Sequence, residues 1–377
     1  MKVSFALFMA VASICGLGCQ PISLGSANKG AERHGKLLLI GGGLDDDNRP
    51  VYERFLALAA ANGPVRIVIA TAATRSQDDE ATDKTEALRT WAPGVTVEVV
   101  RRETPTSETV AAIDRATAMF FTGGDQQRIT DRYRPGNAAS PEWLAMRRLL
   151  ARGGVIAGTS AGDAMMGEVM FLGGGSTTAL GIVPRQTKTV RSEDDDEENP
   201  AQLGPRLGPG MQFLPQALTD SHFFERDRIG RLVAGLEASG RRLGIGIGED
   251  AGVEVDLETG DLLGVSVSES LLVDTGRLQR TGRTRTGIVA RLIRQGDRLK
   301  LAAWLARAAP PLAAPTGPVR ELPIVEPGQN RQLAAWRLFR QASHPESQAI
   351  RQTLDGYSIT AYPTGDGNVA FEIHPTD

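Results

Sequence analysis

The sequence predicts an α/β protein built on a mostly parallel sheet with helices on both faces, and three observations carry that expectation. Short, nearly uninterrupted apolar runs recur at Leu37–Ile40, Val65–Ala70, Val95–Val100, Ala118–Phe121 and Val155–Ala157. Amphipathic stretches near 49–62, 78–91, 106–115 and 141–152 separate them. Strands that are apolar on both faces and alternate with helices form a sheet covered from both sides, with ligands at the carboxyl ends of its strands. The third observation is that glycine clusters stand at that edge: Gly41-Gly42-Gly43, Gly123-Gly124, and Gly158-Thr159-Ser160-Ala161-Gly162.

The chain opens with Met1-Lys2-Val3 and an apolar run through Ile14, too short to span a bilayer as a stable helix. This reads as an export signal. It closes at Gly16-Leu17-Gly18-Cys19-Gln20-Pro21, which is similar to the lipobox of bacterial lipoproteins, although its leucine stands at position minus two instead of minus three. Residues 1–19 are therefore expected to be a signal peptide of lipoprotein type with Cys19 as the lipidated residue, a plain secretory signal being the alternative. The expected location is the cell envelope, or the secreted or periplasmic space. Residues 20–35 are small and polar, as in a flexible tether. The two cysteines of the chain, Cys15 and Cys19, both lie in the leader, so the folded part has no internal disulfide and no thiolate metal site. A formal charge of −3 with 23% charged and 41% hydrophobic residues describes a globular protein without the basic excess of a nucleic-acid binder.

The glycine clusters differ in what they can do. Gly41-Gly42-Gly43 is followed by Leu44-Asp45-Asp46-Asp47, which does not complete a dinucleotide-binding fingerprint. The pentapeptide around Ser160 sits between an apolar strand and an apolar helical stretch, the setting of a nucleophile elbow: glycines two residues either side leave room for a sharp turn that lifts the Ser160 hydroxyl into the open. The Ala161 N–H and the positive end of the following helix would face an oxyanion. Phe120-Phe121-Thr122-Gly123-Gly124-Asp125-Gln126 supplies, at the neighbouring strand end, the N–H groups of Gly123 and Gly124 as a second oxyanion donor and the Gln126 amide as a substrate contact. Asp125 also fits a plain helix cap there.

Beyond the elbow, residues 173–215 are poorly periodic and include the acidic run 193–198, which reads as a solvated loop, with a cation site or a collar for a cationic substrate as alternatives. His222, in Leu218-Thr219-Asp220-Ser221-His222-Phe223-Phe224-Glu225-Arg226, is the well-placed base among four histidines: His34 lies in the tether and His344 and His374 in the tail. Arg226, Arg228 and Arg231 open the next helix against its dipole, so at least one of them is expected to meet a substrate carboxylate. After the strand Leu243–Ile247, either Glu249 or Asp250 could orient the His222 imidazole. The order serine, histidine, acid differs from that of an α/β-hydrolase, where histidine comes last.

Phe-Phe-Thr-Gly-Gly-Asp-Gln, Gly-Thr-Ser-Ala-Gly-Asp-Ala, Thr-Asp-Ser-His-Phe-x-x-Arg-x-Arg-x-Gly-Arg-Leu and Gly-Ile-Gly-Glu-Asp together resemble the cyanophycinases, in the serine peptidase family that also holds aspartyl dipeptidase. The likeness covers about residues 36–300. It implies a fold similar to class I glutamine amidotransferases, flavodoxin-like, with serine in place of cysteine. It also implies hydrolysis of peptide bonds next to aspartate, with release of β-Asp-Arg dipeptides from a poly-aspartate chain whose β-carboxylates carry arginine. By position, it makes Ser160 the nucleophile, His222 the base, Glu249 the orienting acid, and Gln126, Asp220, Ser221, Arg226, Arg228 and Arg231 pocket residues. Three places depart from the pattern: Ser221 stands where glutamine is usual, Asp163 where a small residue is usual, and Gly248 and Ala251 where Asp and Thr are.

After about residue 305 the likeness ends. Residues 306–328 have a Pro-rich linker composition and 329–377 read as a small α+β appendage, with a helix over Gln332–Arg340 and a hairpin of Tyr357–Tyr362 and Val369–Ile373 joined through Gly365–Asn368. The sequence thus describes an exported serine peptidase of domain 36–305 acting on a peptide or cyanophycin, needing no cofactor or metal, touching membrane only through a lipid anchor, and compatible with a homodimer. The alternatives are an aspartyl dipeptidase or related acyl-transfer enzyme, and an inactive envelope-anchored binding protein.

Overall fold

The computed structural model describes residues 34–182, 203–307, 318–323, 334–354, 356–364 and 366–376. The leader with Cys19, nearly all of the tether, the acidic run 193–198 and most of the Pro-rich stretch lie outside the described residues.

The first half alternates strand and helix: β1 (Lys36–Ile40), α1 (Arg49–Ala60), β2 (Arg66–Ala70), α2 (Gln77–Trp91), β3 (Thr96–Val100), α3 (Thr106–Arg115), β4 (Ala118–Phe121), α4 (Gln126–Tyr133), α5 (Pro141–Ala151) and β5 (Val155–Thr159). Helix starts are written in the sequence. Asn48 accepts the Val51 N–H ahead of α1, and Ser140 accepts the Trp143 N–H ahead of α5 with Pro141 at the first helical position. The strands lie parallel in the order β1-β5-β4-β2-β3. Their apolar continuity follows from burial on both faces: Leu37 and Leu39 pack toward α3 and α5, Leu38 and Ile40 toward α1 and α2.

The chain then leaves this sheet. α6 (Ala161–Ala164), β6 (Val169–Gly173), α7 (Ser176–Ala179) and β7 (Arg206–Pro209) are short, with β6 and β7 paired antiparallel. β8 (Ala217–Asp220), α8 (Ile229–Ser239) and β9 (Leu243–Ile247) begin a second sheet, β8 and β9 being parallel. β10 (Gly252–Asp256) and β11 (Asp261–Gly264) return to the first sheet, antiparallel beside β1. β12 (Ser270–Asp274), β13 (Gln279–Thr281) and β14 (Thr284–Ile293) extend the second sheet, and β15 (Arg298–Lys300) closes the edge of the first. Last come α9 (Leu301–Arg307), β16 (Arg320–Glu321), α10 (Ala334–Ala342), β17 (Ile350–Thr353), β18 (Tyr357–Pro363) and β19 (Val369–Pro375). Among the described residues the first sheet has eight strands and the second nine, running β16-β17-β18-β19-β14-β12-β9-β8 with β13 beside β14.

The expected fold class is the observed one, with a second sheet that strand-and-helix periodicity did not announce. The C-terminal residues correct the expected appendage. β19 pairs antiparallel with β14, Val289 opposite Ala370, and Ile359, Phe371, Leu338 and Phe339 share one core with α8 and β12. The reason is the edge of β14: Ile288 and Ala290 would expose apolar side chains and an unpaired ladder without β19 and α10 over them. Residues 334–376 therefore complete the second sheet.

Candidate active site

Ser160 follows β5 in left-handed backbone, φ 52° and ψ −111°, with its N–H bonded to Ile40 O at 3.0 Å. The flanking glycines are steric necessities. A Cβ at Gly158 would collide with the Gly162 carbonyl, and one at Gly162 would stand 2.7 Å from Phe121 O. The helix expected to leave the elbow is a single turn, Ala161–Ala164, too short for much of a dipole, so backbone N–H groups are the electrostatic resource at this point.

His222 arrives from the other sheet, two residues past the end of β8. It too has a positive φ, 45°, and its N–H bonds to Gly41 O at 2.6 Å. Its Nε2 lies 2.8 Å from Ser160 Oγ, and its Nδ1 donates to Glu249 Oε1 at 2.7 Å. Burial first and the Arg226 charge second hold the imidazole below its ordinary pKa, against the pull of Glu249, which keeps Nε2 free to accept a proton. Glu249 follows β9, with its backbone N–H held by Glu225 Oε2 at 2.9 Å. Of the two acids left open by the sequence, Glu249 is the one on the histidine. Asp250, φ 56°, turns away: its Oδ1 accepts the Asp45 N–H at 3.1 Å and Asn48 Nδ2 at 2.6 Å, tying down the β1–α1 loop.

Gly41-Gly42-Gly43, which carried no role in the sequence, makes room for this pair. A Cβ at Gly42 would run into the His222 ring, and one at Gly43 would sit 3.3 Å from Glu249 Cβ. Gly123 faces the nucleophile, since a Cβ there would lie 3.4 Å from Ser160 Cβ. Gly124, φ 127°, turns its α-carbon toward the Ala73 carbonyl instead. Both glycines, with Ser160, His222 and Arg226, line a cavity of about 470 Å³. Its wall carries both signs of charge, Asp45, Asp46, Glu80 and Asp83 against Arg75, Arg128, Arg226 and Lys84.

A model of peptidase family S51 matches residues 37–256. The chain belongs to peptidase family S51. Among curated members, the S51 protein is 35% identical over 152 residues to the cyanophycinase of a Nostoc species and 32% identical over 151 residues to that of Synechococcus elongatus. Each match takes in 40% of this chain, and the chain spans only 43% and 39% of those relatives' lengths. A solved peptidase from an acI-B1 actinobacterium superposes with a TM-score of 0.51 at 17% identity, over 71% of this chain and 98% of that one, a likeness of fold. Ser160, His222 and Glu249 all fall within the S51 segment.

The remaining residues expected in the S51 pocket divide. Arg226 lines the cavity. Arg228 and Arg231 do not: they are buried, and Arg231 makes a two-pronged pair with Asp220, Nε to Oδ2 at 3.0 Å and Nη2 to Oδ1 at 2.5 Å. Arg231 also donates to Gly174 O at 2.6 Å and stacks over the Phe171 ring. Arg228 reaches Asp220 Oδ1 at 3.3 Å and Ser221 O at 2.6 Å. A buried carboxylate between two guanidiniums is satisfied where it stands, so Asp220, Arg228 and Arg231 hold the start of α8 to the end of β8, outside the cavity. Ser221 is buried beside them, outside the cavity. Gln126 turns its amide to Phe171 O at 2.7 Å, bracing β6. Asp163 is fully buried below the elbow with neither carboxylate oxygen hydrogen-bonded. Burial, then the charge of Asp220, pushes its pKa well up, with Arg228 opposing.

Proposed function

We propose that this S51 protein is a cyanophycinase-type serine peptidase that hydrolyses peptide bonds next to aspartate, with Ser160 as nucleophile, His222 as general base and Glu249 as the acid that orients the imidazole. The observation that carries this reading is the unbroken series of hydrogen bonds from Ser160 Oγ through both nitrogens of His222 to Glu249. In the forward step His222 Nε2 takes the Ser160 proton as Oγ attacks the carbonyl carbon, and the imidazolium is stabilised by Glu249. The carbonyl oxygen becomes anionic toward the N–H groups of Gly123 and Ala161. His222 returns the proton to the leaving amine, and water then releases the acyl group from Ser160 by the same path reversed.

The substrate proposed is cyanophycin, after the curated relatives that bear the name cyanophycinase, taken as the arginine-bearing poly-aspartate that the family resemblance implies. Two features support it: a cavity lined by both carboxylates and guanidiniums suits a chain that presents both, and Arg226 stands beside the base where a substrate carboxylate would be held by a guanidinium fork. Asp45, Glu80 and Asp83 take over the part of meeting substrate arginines that Asp220 cannot play. Incubation with cyanophycin, α-Asp dipeptides and casein, with products identified by mass, tests this. The expected product is β-Asp-Arg from cyanophycin, with casein intact and a loss on the order of 10³ or more in Ser160→Ala. Free aspartate from dipeptides with cyanophycin untouched would move the protein to the dipeptidase branch, and activity that survives Ser160→Ala would refute the serine mechanism.

Export through the 1–19 leader belongs to the same proposal. Cys19→Ala is expected to shift the protein from the membrane fraction to a soluble exported one. A cytoplasmic protein would end the export reading.

A further inference from the structure

The S51 match stops at residue 256, yet the last strands of the chain reach the loop that carries His222. Tyr357, the first residue of β18, is fully buried and donates its phenol hydrogen to Asp227 Oδ1 at 2.9 Å, across 130 residues of sequence. Burial, and then the negative charge of Asp227, keep that phenol protonated well above its ordinary range, so it remains a donor. Asp227 lies five residues past His222 and has φ 48°, a left-handed conformation that a non-glycine residue holds only where its surroundings fix it. His222, at the other end of the loop, is left-handed as well, φ 45°.

Between these two positions the loop is closed on itself: the Arg226 N–H bonds to His222 O at 3.0 Å, Asp227 N–H to Phe224 O at 3.2 Å and Arg228 N–H to Phe223 O at 2.9 Å. It is therefore a closed turn. The Asp227 carbonyl is held in turn by Ser176 Oγ at 2.5 Å, and the same hydroxyl accepts the Arg231 N–H at 3.0 Å, so Asp227 is clamped through its backbone by α7 and through its side chain by β18. β18 is itself fixed by seven register pairs with β19, from Tyr357 opposite Pro375 to Pro363 opposite Val369.

We propose that Tyr357 is a positioning residue for His222: through Asp227 the C-terminal strands set the 222–228 loop, and with it the imidazole, against Ser160 and Glu249. The inference rests on the proposed serine mechanism. It gives residues 334–376 a part in catalysis that the S51 segment alone does not contain.

The test uses the full chain. kcat and KM on cyanophycin, the rate of Ser160 labelling by a fluorophosphonate, and Tm as a fold control are measured for wild type, Tyr357→Phe, Asp227→Ala, Asp227→Asn and the Tyr357→Phe/Asp227→Ala double variant. Tyr357→Phe should lower kcat and the labelling rate about tenfold with KM nearly unchanged, less than the roughly 10²-fold that a 1 Å misplacement costs. Asp227→Ala should do the same, and the double variant should lose clearly less than the product of the two single losses, because both single changes remove the Tyr357–Asp227 bond. Asp227→Asn, which keeps a carbonyl oxygen for the phenol, should recover most of the rate. Wild-type kcat and labelling in Tyr357→Phe, a loss confined to Tm, or additive losses in the double variant would each overturn the proposal. If Tyr357→Phe does not fold, the contrast between Asp227→Ala and Asp227→Asn decides alone. An active Ser160→Ala sinks the serine mechanism itself, whereas an inactive Ser160→Ala beside a fully active Tyr357→Phe sinks the positioning role only.

Discussion

Ser160 and His222 rest on sheets of different construction. Ser160 follows β5, which lies between the parallel strands β1 and β4, and its elbow is shaped by glycines two residues away on either side. His222 and Glu249 follow β8 and β9, at the edge of a mixed sheet whose other strands come from as far along the chain as β19. The turn of the nucleophile is thus shaped by its own glycines, with the Ile40 carbonyl on its N–H as the remote contact. The base and its acid are placed by distant groups: the Gly41 carbonyl, the Glu225 carboxylate and the Tyr357 phenol. A site assembled across such a seam should respond differently to damage on its two sides, and substitutions can pull the two responses apart.

The largest separation is expected at the two adjacent acids. Glu249→Gln keeps the size of the side chain but removes the charge that stabilises the imidazolium, so kcat should fall by a factor on the order of 10² to 10⁴. Asp250→Asn retains an oxygen for Asp45 N–H and should change kcat by no more than about threefold, as a loop contact of about 0.5 kcal/mol would. Steady-state kinetics at saturating substrate decide this, and the reverse ranking would transfer the orienting role to Asp250.

Next in size is the contrast between two arginines five residues apart. Arg231→Met leaves Asp220 buried without its two-pronged partner and should cost about 3 kcal/mol or more of stability, read as a large fall in the denaturation midpoint. Arg226→Met should cost clearly less stability than that, because Arg226 is only half-buried and lines the cavity. It should instead raise KM and move the acid limb of kcat/KM upward. The sign follows from the charge: Arg226 lowers the His222 pKa, a neutral imidazole is the active form, and without Arg226 the base protonates at a higher pH. An unchanged acid limb would remove Arg226 from the neighbourhood of the working base.

The same two arginines show what could be read from the residues alone. β1 to β5 and α1, α2, α3 and α5 were legible because a βα unit is local: its apolar period and its caps lie within a few turns of chain. The elbow was legible for the same reason. What was not legible depends on partners remote in sequence. Three arginines near one helix start look alike until Asp220 is seen to neutralise two of them. Gly41–Gly43 failed to complete a dinucleotide fingerprint and had no role until the His222 ring was seen against Gly42. Glu225 and Tyr357 carry no local signal at all, since one resembles a surface acid and the other a strand residue in a hairpin. The second sheet was missed on the same grounds, because its neighbours are not consecutive and periodicity says nothing about which edge a strand will join.

A last test probes the seam from beneath. Asp163 belongs to the turn after Ser160 but faces Asp220 and Arg228 of the other side, buried and without a hydrogen bond to either oxygen. Burial raises its pKa, so the native protein keeps a proton that the unfolded chain releases above about pH 3.9. The unfolded state therefore binds fewer protons than the native one above that pH, and this residue removes stability as pH rises. Asp163→Asn abolishes the titration while nearly preserving shape. Its two unpaired amide hydrogens carry a cost of their own, but that cost does not vary with pH. The difference in stability between variant and wild type should accordingly move in favour of the variant from pH 4.5 to pH 8, by about 1.4 kcal/mol for each pH unit that lies between the unfolded and native pKa values. Because every other titrating group is common to both proteins, the difference curve isolates Asp163. Two parallel stability curves would mean that its carboxylate ionises in the native state as readily as in the unfolded chain, and that Arg228 serves the elbow as well as the loop of His222.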